Sequence, residues 1–543
     1  MPMTDLVNIS RVLVANRGEI ALRVFRTCRR LGLETVAVVA PDDRGALHAR
    51  SADVLAEIGS YLDANEIVRA AVKSGADAVH PGYGFLAESA AFADAVVAAG
   101  LIWIGPPARA LRLGGDKLEA KRIAAAAGVP TLAQGDAAEI GFPLLVKAAA
   151  GGGGRGMRVV REPALLKETL AAAAREAEAA FGDGRVFCER YLERPRHVEV
   201  QLIADAREAI ALGLRDCSVQ RRHQKVIEES PPPGLDDALG ARILAAAVSF
   251  ADAIGYRSAG TAEFLVAGSE FFFLELNGRI QVEHPVTEAV TGLDLVELQL
   301  RVADGEELDL RFTPNGHAVE ARLYAEDPRS FLPQEGTLSR LTFPEGVRVD
   351  AGMAEGDVVG VVYDPLIAKL IAHGADRSEA LDRLADALGA AVVSGIVTNL
   401  PFLRWLVAHP VFRAGAVSTS FLAAFPPLSA PPYRLPTGPF STAWRLNLPS
   451  PPVQPRPDAD VAAHVRAGEG GSRVVSPMPG TVASVHVVTG DVVSARQHLV
   501  VLEAMKMELP VTAPFDGTVG AVHVAAGDRV AGGAVLVELE WSP

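Results

Sequence analysis

The sequence predicts a multidomain α/β protein that ends in a small all-β domain, and three observations carry that prediction. Short apolar runs alternate with helical periodicity near the N-terminus, the pattern of a parallel sheet with crossover helices. Eleven prolines crowd residues 426–457, where neither a continuous helix nor a central strand can form. The last 70 or so residues repeat themselves at an offset of 37 residues, with valines alternating as in half-buried strands.

The chain has 543 residues, which suggests about three or four domains. Apolar residues make up 49% and charged residues 22%, normal for a globular protein with ample core. Net charge is −14 and no long Lys/Arg run occurs, which argues against nucleic acid as a partner. Cys28, Cys188 and Cys217 are far apart and odd in number, giving neither a zinc pattern nor a disulfide framework. A reducing cytoplasm is expected. The first residues lack a signal-peptide pattern, and no apolar stretch approaches the roughly 20 residues of a membrane span.

Along the chain, residues 11–15 read as a buried strand. Asn16–Glu19 turn it into a helix running to about Leu31, which Gly32 ends. Thr35–Ala40, Ala76–His80 and Leu101–Gly105 repeat the strand signal. A helix over Leu118–Ala127 leads to a strand over Phe142–Ala148 and a glycine loop. Thr261–Val266 and Phe271–Leu276 read as a hairpin closed by residues 267–270, which brings Glu263 close to Glu275. Residues 313–427 are mixed α and β and end in the helical stretch Asn399–His409. The expected division is 1–114, an N-terminal α/β domain; 115–312, a second domain with a lid over about 132–191; 313–427, a third; 428–472, a proline-rich linker; and 473–543, the all-β domain. Treated as coil, the linker would span roughly 35–40 Å r.m.s.. Within the last domain, Gly480–Val487 followed by Gly490-Asp491 recurs as Gly517–Val524 followed by Gly527-Asp528, and Glu503–Met507 falls at the turn between the halves.

Four constellations carry chemistry. Lys506 sits between Met505 and Met507, apolar residues that a turn tip normally avoids, so recognition by another enzyme is one explanation. Lys147 precedes the loop Gly151, Gly152, Gly153, Gly154, Arg155, Gly156, whose backbone amides can approach phosphates, although the Gly-Lys-Ser/Thr ending of a P-loop is missing. Glu275, Asn277, Arg279, Gln281 and Glu283 alternate, so an extended segment would point all five to one side. A solvated strand face would alternate in the same way, but Phe271–Leu274 upstream is wholly apolar. Such a polar set beside a core is costly without a ligand, and the nearby carboxylates Glu263 and Glu275 call for a cation, with magnesium the natural choice. The run Arg215–Lys225 is densely cationic, and charge repulsion argues against its burial unless anions are bound.

Taken together, Ala15–Ile20, His80–Leu86, Gly115–Lys117, Glu189–Leu192, Pro195–His197, the 215–225 run and Arg279–Pro285 resemble biotin carboxylase of the ATP-grasp superfamily, over residues 9 to about 427. Ala504-Met505-Lys506-Met507 within the repeated β domain resembles the biotin carboxyl carrier domain, of the biotinyl/lipoyl type. The resemblance implies an α/β ATP-grasp carboxylase of three subdomains, then a linker and a carrier. It implies biotin on Lys506, with ATP and Mg2+ (or Mn2+) as cofactors. Lys117, Lys147 and His223 would contact ATP phosphates, with the glycines 151–154 over them. Glu189, Leu192, His197 and Gln220 would line the adenine and ribose site. Glu263, Glu275 and Asn277 would hold the metal. Arg279, Gln281, Val282 and Lys225 would bind bicarbonate, Glu283 would be the general base, and Arg322 would stabilise the biotin enolate. Two positions depart from the family: Ala150 stands for a usual glycine, and Gly278 for a residue with a side chain.

The resemblance further implies a separate carboxyltransferase (beta) subunit and a biotin protein ligase as partners, and often a homo-oligomer within a larger complex. No stretch of the chain is left over for a carboxyltransferase. The compact linker resembles bacterial acyl-CoA carboxylases, so the expected acceptor is acetyl-CoA or propionyl-CoA, the alternatives being methylcrotonyl-CoA or pyruvate. A carboxylate–amine ligase of the same superfamily and a non-enzymatic carrier are the rival readings. The 279–283 motif argues against the first, and the set Lys225, Arg279, Glu283, Arg322 against the second.

Overall fold

The computed structural model describes residues 6–149, 157–221, 224–360, 362–429, 473–504 and 507–541. Lys506, Met505, His223, Ala150, Gly151–Gly156 and linker residues 430–472 lie outside the described residues.

The N-terminal alternation forms a five-stranded parallel sheet, in the order Val54–Glu57, Glu34–Val39, Arg11–Val14, Ala78–His80, Ile102–Trp103. The fifth strand is shorter than its apolar run predicts. Gly18 starts the first helix, Gly18–Arg30, at φ +64°, where a glycine is at no steric disadvantage. The helix buries Ile20, Ala21, Val24 and Phe25 against strand residues Val12 and Val14.

An eight-stranded antiparallel sheet forms the centre. Its order is Glu270–Asn277, Ser258–Ala267, Arg196–Ala204, Ala209–Asp216, Ile227–Ser230, His317–Tyr324, Leu366–Gly374, Arg348–Ala351. The sheet therefore runs unbroken past residue 312, because Ile227–Ser230 pairs with Ala318–Ala321. Over one end pack Val198, Val200, Phe264 and Phe273 with helix residues Ile243, Ala247 and Phe250. Over the other pack Val319, Leu370 and Ala372 with Leu381, Leu384 and Leu388.

A three-stranded antiparallel sheet, Arg158–Val160, Leu144–Ala148 and Val186–Arg190, carries the helix Leu166–Phe181 and occupies the segment expected to be the lid. Its core is small: Leu144, Val146, Val160, Ala173 and Cys188, with Ala137.

Residues 473–541 form two four-stranded sheets, and the repeats Gly480–Val485 and Gly517–Val522 fall one in each. Strands His498–Ala504 and Met507–Thr512 pair antiparallel up to Ala504 opposite Met507, and the turn position expected for Lys506 lies outside the described residues. Cys28, Cys188 and Cys217 are buried free thiols. Among the described residues, no helix is long and apolar enough to cross a membrane.

Candidate active site

The predicted hairpin forms with Glu263 directly opposite Glu275. The register continues: Glu199 lies opposite Glu263 on one side and Arg215 on the other, so Glu275, Glu263, Glu199 and Arg215 make one row across four strands. Like charges directly opposite repel. Three carboxylates in one row therefore require cations, and the fold supplies them. Arg215 is wholly buried and donates to Glu199, Gln201, Thr261, Thr287 and Gln281. The expectation that this cationic run avoids burial without bound anions is thus corrected for Arg215: carboxylate and amide side chains satisfy it.

Lys225 stands over the row. Its ammonium lies 2.7 Å from Glu263 and 2.6 Å from Glu283, and also contacts Glu199. Burial alone would lower its pKa, but Glu199, Glu263 and Glu283 raise it well above the ordinary lysine value. The lysine gets there through a two-residue pairing of Gln220-Arg221 with Gln224-Lys225.

The 275–283 segment departs from expectation. The strand ends at Asn277, and a helix starts at His284, so residues 278–283 are a turn and not an extended strand. The polar groups converge nonetheless, by different routes. Asn277 Nδ2 and Gln281 Nε2 donate to Glu263 Oε1 at 2.8 and 2.9 Å. Arg279 donates to Asn277 Oδ1 at 3.1 Å. Val282 contributes its carbonyl, which accepts from the buried Lys369 at 2.8 Å. Glu283 is clamped between Lys225 and Arg322, the latter at 2.9 Å. Burial would raise its pKa, but Lys225, Arg322 and Arg215 hold it far below the usual carboxylate range.

Arg322 also contacts Glu228, and burial is overcome there too, so the guanidinium stays charged. Glu228 pairs in register with Glu320, a wholly buried carboxyl. Burial raises Glu228 to about 7 despite Arg322.

The nucleotide-side residues form a second group. Lys147 donates to Glu189 at 3.1 Å, and buried Lys121 also pairs with Glu189. Burial and Lys117 push Lys147 down to about 8, against the pull of Glu275. Lys117 faces Glu275 at 3.7 Å. His197 joins the floor: Nε2 lies 3.0 Å from Glu263, and Nδ1 meets Gln220 at 2.8 Å. Leu192 is half-buried just past the lid strand. Glu263, Glu275 and Asn277 lie on two adjacent strands and carry the hard oxygen donors that magnesium takes; Asn277 Oδ1 here accepts from Arg279 and would have to be released to bind it.

Sequence reasoning missed Glu199, Glu228, Glu320, Lys121 and Lys369. The alternation His197, Glu199, Gln201 in an otherwise apolar strand was a signal for the first. A Cβ at Gly278 would stand 2.7 Å from Leu111 Cδ2, so a larger residue there requires the tip of the Leu111 side chain to shift.

The fold and this cluster define an ATP-dependent ligase core followed by a carrier-type β domain. Family models match in chain order: "Biotin carboxylase, N-terminal domain" over residues 8–111, "Carbamoyl-phosphate synthase L chain, ATP binding domain" over 117–311, "Biotin carboxylase C-terminal domain" over 320–424, and "Biotin-requiring enzyme" over 472–539. The biotin-dependent acyl-coenzyme A carboxylase alpha3 subunit of Mycobacterium leprae is 43% identical, over 98% of this chain and 99% of its own. The mitochondrial methylcrotonoyl-CoA carboxylase subunit alpha of rice is 49% identical over 77% of this chain, which spans 60% of that relative's length. The biotin carboxylase domain of Hydrogenobacter thermophilus 2-oxoglutarate carboxylase, solved with MgADP and bicarbonate, matches with a TM-score of 0.75 at 41% identity, covering 77% of this chain and 98% of that one. The chain belongs to the biotin carboxylases of the biotin-dependent carboxylase alpha subunits, with the biotin-requiring domain in the same chain.

Proposed function

We propose that the chain uses ATP and bicarbonate to carboxylate a biotin on its own Lys506, for transfer by a separate carboxyltransferase to an acyl-CoA. The observation that carries this reading is Glu283 held between Lys225 and Arg322, beside Arg279 and Gln281.

Bicarbonate is a poor nucleophile until it loses a proton. In the resting site Glu283 is a weak base, because three cations stabilise its charge. Bicarbonate bound by Arg279, Gln281, the Val282 backbone and Lys225 would draw Lys225 toward itself. Glu283 would then become more basic, toward the range where general bases work best. Lys117, Lys147 and His223 would neutralise the ATP phosphates as carboxyphosphate and ADP form, a reaction that needs charge stabilisation more than covalent help. Magnesium held by Glu263, Glu275 and Asn277 would supply further charge neutralisation at those phosphates. Carboxyphosphate would release carbon dioxide and phosphate. Phosphate would take the proton from the biotin ureido nitrogen, and Arg322 would stabilise the resulting negative oxygen. Glu189, Leu192, His197 and Gln220 would line the adenine and ribose site. Residues 428–472 would tether the carrier while it moves between two active sites.

For the acceptor, methylcrotonoyl-CoA has more support than the acetyl-CoA or propionyl-CoA expected from linker length. Plant and slime-mould methylcrotonoyl-CoA carboxylase alpha subunits are 47–49% identical to the carboxylase portion. A second reading, a different acyl-CoA, is favoured by the mycobacterial relative, which matches this chain almost end to end. The test is to incubate the biotinylated chain with ATP, magnesium and labelled bicarbonate, and map the label. Label on Lys506 is expected, and label absent or on another residue overturns the reading. Adding a carboxyltransferase subunit and a panel of acyl-CoAs then names the acceptor.

A further inference from the structure

We propose that Glu88 is the positioning residue that aims Arg279 at bicarbonate, tying the anion site to the N-terminal domain. The proposal rests on the role given above to Arg279. Glu88 lies in the loop between the strand Ala78–His80 and the helix Ala90–Ala98, in a different domain from Arg279. Its Oε1 accepts the backbone N–H of Gly278 at 3.1 Å, and its Oε2 stands 3.2 Å from Arg279 Nε. One carboxylate thus grips both the backbone and the side chain of adjacent residues.

Glu88 holds the Nε side of the guanidinium, and each Nη makes one hydrogen bond of its two. Its Nη2 donates to Asn277 and its Nη1 to the Ile280 carbonyl, the latter at a long 3.3 Å. An arginine ion-paired to Glu88 at Nε, without a hydrogen bond there, and bonded through both Nη atoms is pre-aligned to present its remaining donors to an oxyanion, which reduces the ordering needed on binding. Glu88 also matches much of the charge that Arg279 carries when burial would disfavour it.

The loop that carries Glu88 is itself held firmly. Asn16 Nδ2 donates to the Pro81 and Tyr83 carbonyls at 2.8 and 2.7 Å, and Tyr83 OH pairs with Glu19. Phe85 sits at φ +42°, a conformation that costs energy for a residue with a Cβ and persists only where its surroundings fix it. Its ring packs on Tyr61 and Tyr363. On the far side, Gly278 faces Leu111 of the same N-terminal domain, where a Cβ would meet the Leu111 Cδ2 tip at 2.7 Å. Gly278 is therefore approached from two directions by residues of the N-terminal domain, Glu88 and Leu111. Among the described residues Glu88 bonds or ion-pairs with Gly278 and Arg279 and with none of Glu199, Glu263 and Glu275, so the effect should fall mainly on bicarbonate and spare ATP.

The test measures bicarbonate KM by ADP release, and ATP affinity by nucleotide titration, in Glu88→Ala, Glu88→Gln and Glu88→Asp, with Arg279→Ala as reference. Loss of a charge-assisted grip should raise bicarbonate KM about tenfold in Glu88→Ala and less in Glu88→Gln, which keeps an acceptor for Gly278. Glu88→Asp should recover part of the loss. ATP affinity should stay within about twofold, and Glu88→Ala should add little in the Arg279→Ala background. Unchanged bicarbonate KM in Glu88→Ala, while Arg279→Ala raises it, would overturn the role of Glu88 alone. A parallel loss of ATP affinity in Glu88→Ala would make Glu88 a general structural residue. Unchanged bicarbonate KM in Arg279→Ala would instead bring down the functional reading.

Discussion

On the floor of the site three carboxylates, Glu199, Glu263 and Glu283, share one lysine, Lys225; at the lid two lysines, Lys121 and Lys147, share one carboxylate, Glu189. The two arrangements shift their lysines in opposite directions. Lys225 is raised well above its ordinary value by the surrounding acids, whereas burial and Lys117 push Lys147 down to about 8. The floor is thus suited to receive cations and the lid side to receive anions, which is the polarity a metal–phosphate substrate needs. The supports differ as well. The floor belongs to an eight-stranded sheet with large cores on its faces, while the lid has a three-stranded sheet and a small core of its own. Preorganisation should reside in the floor and motion in the lid.

The largest effect that would break this comparison is at the base. Glu283→Gln keeps the shape but removes the charge, so bicarbonate-dependent ATP cleavage should fall by about 100-fold or more, in the range for a lost general base. ATP affinity, read by nucleotide titration, should change little. Near-normal turnover would show that the floor carboxylate is only a counter-ion.

Next in size is Arg322→Ala. It should slow biotin carboxylation by about 100-fold, as for a lost oxyanion donor, with little change in ATP affinity. The same change leaves Glu283 and Glu228 buried without their shared cation. Breaking a buried pair in this way should cost about 3–5 kcal/mol of stability, to be read by denaturant unfolding. Equal losses in nucleotide binding and carboxylation would place Arg322 in the nucleotide site instead.

Lys147→Met tests the lid side and should act the other way round. ATP affinity should fall about tenfold or more, since a charge-assisted phosphate contact is lost. Turnover at saturating ATP should suffer less. Should Lys147→Met leave ATP affinity intact and stop turnover, the division of labour between floor and lid would be wrong.

How much of this was legible in the sequence depends on whether a group was placed by local pattern or by long-range pairing. The hairpin and the facing of Glu263 and Glu275 were legible, because two apolar runs and a short turn fix the register. So was the carrier fold, since its repeat displays strand alternation twice. The turn at 278–283 was not, because the same alternation of polar residues fits a strand or a turn whose side chains converge on Glu263 and Lys225. Arg215 was misread for a related reason. Its burial depends on Glu199, Gln201, Thr261, Thr287 and Gln281, which come from four other segments of the chain. Glu228 and Glu320 meet only through pairing across more than ninety residues of sequence separation.

The smallest expected effect is a proton balance, and it sharpens the comparison because the lid lysine should respond and the floor lysine should not. With its pKa pushed down to about 8, Lys147 is partly neutral in the free enzyme near pH 8. Phosphates bound beside it would favour the charged form and raise that pKa. ATP binding near pH 8 should therefore take up a fraction of a proton, and ATP affinity should fall as pH rises beyond about 8, where the lysine must be protonated on binding. Lys225 starts from a pKa well above its ordinary value, so it is already charged at this pH and contributes no uptake. Calorimetric titration of ATP at pH 8 in buffers of different ionisation enthalpy measures the uptake directly. A slope against buffer enthalpy that vanishes in Lys147→Met assigns the proton to the lid lysine. The same slope in wild type and variant would show that the proton is taken up elsewhere, and that Lys147 is charged before the nucleotide arrives.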